Sequence, residues 1–169
     1  MGRKERSDGY EHAKISLVGG IGIAAIGLTG GIIWPVVTAP ALVAALGVVA
    51  GAVLSPDLDQ PMITWSEWFV IKLLPPLSWI PGLLMVGYWL PYSLMMKHRG
   101  VSHWPVIGTF TRIAYMIPVG ILAHLLLIQI EWYAKNWQNL GPWVLFFCIG
   151  LAISDVGHYL RDYHGLKVG

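Results

Sequence analysis

The chain has 169 residues and a formal net charge of +2, with 56% hydrophobic but only 12% charged residues. A soluble domain carries about a quarter charged residues, so this balance excludes an ordinary water-soluble globule and leaves too few basic residues for a nucleic-acid surface. The single cysteine, Cys148, excludes an intramolecular disulfide and a cysteine-based zinc motif.

In chain order, Arg3, Lys4 and Arg6 precede an apolar run over 15–34. That run is longer than the core of a signal peptide, so it reads as a retained first span. A second span is predicted over 36–54, and the short break at Pro35 predicts a tight helical hairpin. Gly27 and Gly31 stand four apart, as do Gly47 and Gly51. This spacing lets helix backbones approach closely in lipid, although glycine is also simply common in membrane helices.

A polar break, Ser55-Pro56-Asp57-Leu58-Asp59-Gln60-Pro61, comes next. The stretch over 65–96 is apolar but interrupted by Pro75, Pro76, Pro81 and Pro91, and it carries Trp65, Trp68, Trp79, Trp89 and Tyr92. Proline disrupts a spanning helix, and Trp and Tyr favour the headgroup zone, so this predicts an interfacial or re-entrant segment. The polar segment Lys97-His98-Arg99-Gly100-Val101-Ser102-His103 follows. Two further spans are predicted over 113–130 and 142–160, joined by a loop with Glu131 and Lys135. The expected fold is all-α: a polytopic membrane helical bundle of about four spans plus the broken segment, forming a single membrane-embedded metal-binding domain over 1–169.

Basic residues gather before the first span, before the third (Lys97, Arg99, Arg112) and after the fourth (Arg161, Lys167). The opposite side holds only Lys135 beside Glu131. This asymmetry predicts an inner-membrane protein with both termini in the cytoplasm.

Four patches hold most of the residues able to ligate a metal: His12; Asp57 with Asp59; His98 with His103; and Asp155, His158 and Asp162. The predicted spans return all four to one membrane face, provided the 65–96 segment enters and leaves on one side. Asp155, His158 and Asp162 stand at i, i+3 and i+7, which is one helix face. Gly100 permits a turn that converges His98 and His103. Imidazoles mixed with carboxylates suit Zn²⁺, with Mn²⁺ or Fe²⁺ as alternatives, and the seven candidate ligands other than Asp155 suit one ion or two. His124 lies inside a span, away from these patches, and is expected to make a buried hydrogen bond.

The motifs Pro56-Asp57-Leu58-Asp59, His98-Arg99-Gly100-Val101-Ser102-His103 and His158-Tyr159-Leu160-Arg161-Asp162, with His12 near the start, resemble the YdjM-like predicted membrane-bound metal-dependent hydrolases. The continuation over 105–112 is similar to a related branch known as metal-binding proteins. Gln60 stands where many of those relatives carry His, and Asp155 is not part of their pattern. The resemblance implies metal ligation by His12, Asp57, Asp59, His98, His103, His158 and Asp162, and metal-assisted hydrolysis at the cytoplasmic membrane surface.

A site at the membrane surface suggests a phosphoester of a lipid or lipid-linked substrate. Asp155 is then the candidate general base, or the residue orienting His158, and Arg99 the group that offsets phosphoryl charge. Lys97, Arg99 and Ser102 are candidate substrate contacts, with membrane anchoring or a turn role as their alternatives. A non-catalytic metal-binding membrane protein with a structural, sensing or scaffold role is the second reading. A metal transporter is the third, and it would need ligands near the bilayer midplane.

Overall fold

The computed structural model describes residues 3–59, 64, 68–69, 71–72, 79–96 and 100–164. The described regular elements are helical: α1 (Arg3–Ile33), α2 (Thr38–Ala50), α3 (Trp79–Met95), α4 (Ile107–Leu127), the short α5 (Glu131–Asn136) and α6 (Gly141–His164), with 3-10 turns at Pro35–Val37, Pro56–Asp59, Val101–His103 and Trp137–Leu140. Among the described residues, three stretches are long and apolar enough to cross a membrane: Tyr10–Ile33, Ile107–Leu127 and Glu131–Tyr163. The shortest has 21 residues, or about 30 Å of helix, which matches the hydrocarbon thickness of a bilayer.

The predicted second span is a shorter helix: α2 has 13 residues, and the apolar stretch Pro35–Ala50 falls below the length of the other three. Proline at Pro35 ends α1 and tightens the link, so α1 and α2 form the expected hairpin. Glycine brings these helices together. A Cβ on Gly27 would run into Ala41, and one on Gly31 into Thr38. On the other side of α2, a Cβ on Gly47 would strike the carbonyl of Phe147, and one on Gly150 the carbonyl of Ala44. The backbones of α2 and α6 therefore touch, with no side chains between them. Of the two readings of the glycine spacing, close packing is the one the structure adopts.

Within the stretch over 65–96, Trp79–Met95 is a helix that accommodates Pro91. Trp89 and Tyr92 are buried within the protein and pack with Leu58. Tyr88 and Tyr115 each donate their hydroxyl to the other's backbone carbonyl, at 2.9 and 2.6 Å. The Tyr92 hydroxyl lies 2.9 Å from Thr111 Oγ1. These rings find hydrogen-bond partners inside the protein, which removes their reason to seek the headgroups.

Candidate metal centre

The site forms where the N-terminal end of α1, the loop after α2, the turn before α4 and the C-terminal end of α6 meet. Ser16 and Ser154 set the register of α1 against α6, with their hydroxyl oxygens 2.8 Å apart. His12 is one turn before Ser16 and His158 one turn after Ser154, so in two antiparallel helices the serine contact brings the imidazoles face to face. A Cβ on Gly157 would crowd Ile15, so only a small residue beside His158 allows this approach.

The loop after α2 is held by Arg112. Its guanidinium donates to the Leu54 carbonyl at 2.7 Å and also to Asp155 on α6. The Pro56–Asp59 turn follows, with Leu58 anchored among the aromatics of α3 and Asp57 and Asp59 turned toward the site. The Val101–His103 turn is pressed into place by α4, where a Cβ on Gly108 would meet the Ser102 carbonyl. Val106 leads into α4 at φ 68°, a conformation that L-residues with branched side chains rarely adopt.

Two overlapping groups of donor atoms converge here among the described residues: Asp57, His103 and His158, and His12, His158 and Asp162. His103 Nε2 lies 3.5 Å from Asp57 Oδ1 and 3.9 Å from Asp162 Oδ2. His158 Nε2 lies 3.7 Å from Asp57 Oδ1 and 3.3 Å from Asp162 Oδ2. Ligand atoms around a tetrahedral ion with bonds of about 2.1 Å stand roughly 3.4 Å from each other. His158 Nε2 is buried and makes no hydrogen bond among the described residues, although carboxylate oxygens surround it. A buried imidazole nitrogen set between the carboxylates of Asp57 and Asp162, 3.7 and 3.3 Å away, fits a divalent ion. His12 joins from the side, its Nε2 3.1 Å from Asp162 Oδ1.

Asp59 sits behind this group. Fully buried, its Oδ2 lies 3.2 Å from His103 Nδ1 and accepts a hydrogen bond from Ser102 Oγ at 2.5 Å. Burial alone would raise the Asp57 carboxyl, but the imidazoles of His158, His12 and His103, with a hydrogen bond from His103, hold it well below the usual carboxylate range. Burial alone would lower His103, but its hydrogen bonds to Asp57 and Asp59, and their charges, push it up to about 9.

Of the residues expected to meet, His12, Asp57, Asp59, His103, His158 and Asp162 do so. Asp155 has other partners: its Oδ2 accepts from Arg112 and Thr109. Ser102 is buried against Asp59 and is not open to a substrate. His98, Lys97 and Arg99 lie outside the described residues, as does the side chain of His164. His124 does make a hydrogen bond, 2.9 Å to the Tyr133 hydroxyl, although it is only half-buried. Arg112 is the residue the sequence reading missed, having been taken as a topology charge. Its position inside an otherwise apolar helix was the available signal, because a charge there needs a partner.

A family profile described as uncharacterized metal-binding protein (DUF2227) matches residues 7–168. The chain belongs to the DUF2227 family. That match takes in the converging residues of DUF2227 from His12 to Asp162 and agrees with the geometry of the site. A protein of Aquifex aeolicus, described only as uncharacterized, is 24% identical over 125 residues, covering 64% of this chain and 79% of that one. No solved structure matches this DUF2227 chain.

Proposed function

We propose that this chain is a membrane-bound metal-dependent hydrolase that works at the cytoplasmic membrane surface on a phosphoester of a lipid or lipid-linked substrate. The observation that carries the reading is the convergence of Asp57, His103 and His158, and of His12, His158 and Asp162, beside helices long and apolar enough to cross a membrane. Zn²⁺ is the preferred ion for this imidazole and carboxylate set, with Mn²⁺ and Fe²⁺ as alternatives. A divalent ion bound there would polarise a phosphoryl oxygen and activate water at neutral pH.

The chain's own residues do the rest. Asp59 and Ser102 orient His103, and Arg112 with Asp155 fixes the loop that carries Asp57. Asp57, 21% exposed at its side chain, gives the donor group its opening to a substrate. Lys97 and Arg99 directly precede the His103 turn in sequence, and we assign them to the phosphate oxygens. His98 of the same motif is assigned as a further ligand. The basic residues flanking the helices support cytoplasmic termini.

The test is turnover by the purified full-length protein in detergent, loaded with Zn²⁺ or Mn²⁺, across a panel of lipid phosphoesters and esters. Hydrolysis that is lost in His103→Ala, lost on chelation and restored by metal is expected. Stoichiometric metal with no turnover anywhere on the panel would overturn the enzyme reading.

The burial of His12, His103 and His158 favours the second reading, a non-catalytic metal module. That reading requires a closed coordination shell. Fast water-proton relaxation in the Mn²⁺-loaded protein, which reports an exchangeable water, would exclude it.

A further inference from the structure

The lone pair of an imidazole Nε2 lies in the ring plane, so two imidazoles that share one ion must both hold it near their planes. The condition is open to His103 and His158, whose ring planes cross at 78° with centroids 5.3 Å apart. His12 and His158 do not meet it. Their rings are stacked at a centroid separation of 3.6 Å, with only 9° between the planes. An ion in the plane of one ring therefore lies about a ring spacing outside the plane of the other.

Yet both of these nitrogens face the same carboxylate, one oxygen each. His158 Nε2 is 3.3 Å from Asp162 Oδ2, and His12 Nε2 is 3.1 Å from Asp162 Oδ1. We infer that the centre holds a pair of divalent ions bridged by Asp162. One ion is held by Asp57, His103 and His158, with Asp162 Oδ2 reaching it beside His158, and the other by His12 and Asp162 Oδ1. This rests on the metal-binding reading above and deepens it. Paired ions in phosphoester-cleaving sites stand about 3.5–4 Å apart, close to the spacing of the stacked rings. With only two protein donors among the described residues, the His12 ion keeps positions for oxygen ligands, which suits a phosphoryl oxygen of the substrate.

The experiment is metal counting on full-length protein in detergent, equilibrated with Mn²⁺ and freed of excess, together with electron paramagnetic resonance of the same samples. Two ions per chain and an exchange-coupled Mn²⁺ spectrum are expected in the wild type. His12→Gln should leave one ion and the spectrum of an isolated Mn²⁺. One ion in the wild type, unchanged in number by His12→Gln but lost in His103→Ala, would overturn the pair and leave the single-ion site standing, with His12 only a hydrogen-bond donor to Asp162. No bound ion in the wild type would overturn both.

Discussion

His103 Nδ1 lies 3.2 Å from Asp59 Oδ2, and that contact decides which nitrogen of the ring reaches the centre. With Nδ1 donating to Asp59, Nε2 points at Asp57 and Asp162. The Ser102 hydroxyl holds the same Asp59 oxygen, so the carboxylate cannot turn away. A carboxylate behind a ligating imidazole fixes ring orientation and raises its basicity.

Asp57 and Asp59 should therefore respond differently to mutation. Asp59→Asn is expected to weaken metal binding by about 10–100-fold with stoichiometry unchanged. Asp57→Ala removes a donor atom and should abolish that ion at micromolar metal. Equilibrium dialysis of both variants checks this, and equal losses would contradict the assignment.

Metal binding should tighten as pH rises toward about 9, the value to which the carboxylates push His103. The folded value lies above the unfolded one of 6.5. In metal-free protein the charged ring thus adds stability that is full below 6.5 and lost as pH rises through about 9. An ion must displace that proton, so affinity should fall by up to about tenfold per pH unit below 9. Calorimetry in buffers of different ionisation enthalpy reads the proton released.

Arg112→Gln should strongly destabilise the protein, because it leaves the Asp155 charge buried without its partner. Breaking such a pair costs about 3–5 kcal/mol, whereas replacing both members with apolar residues is often far milder. The double variant Arg112→Leu with Asp155→Leu should therefore recover part of the lost stability in thermal unfolding in detergent. A double variant worse than the single would argue against the pair as drawn.

Gly47→Ala places a methyl against the Phe147 carbonyl, a backbone atom that cannot swing aside. Overpacking of this kind costs about 1–3 kcal/mol. Gly22→Ala meets nothing within reach and should be neutral or stabilising, since alanine favours a helix over glycine. Melting temperatures of the two variants test the contact between α2 and α6.

Much of the centre was legible in the chain. Long apolar runs broken by prolines fix where helices end, and His12, Asp57, His103 and Asp162 fall near those ends. The i, i+3, i+7 spacing put Asp155, His158 and Asp162 on one side of α6. It could not separate them, because neighbours on α4 and α1 decide their partners: Arg112 and Thr109 claim Asp155, while His12 meets Asp162. The partners of the α3 aromatics were hidden in the sequence for a related reason. Trp89 and Tyr92 suit a headgroup boundary or an internal hydrogen-bonded cluster equally well until Tyr115 and Thr111 are known to face them.

Composition and periodicity by themselves determined an all-helical, strongly apolar chain with ligating residues at helix ends, because helix length and side-chain polarity are local properties. Only the tertiary structure decided the roles within that set. Which carboxylate faces an imidazole lone pair, and which stands behind its ring, depends on angles of a few tens of degrees between helices. Those angles are set by glycine contacts such as Gly47 with Phe147 and by the Ser16 and Ser154 register. Linear spacing does not encode such angles.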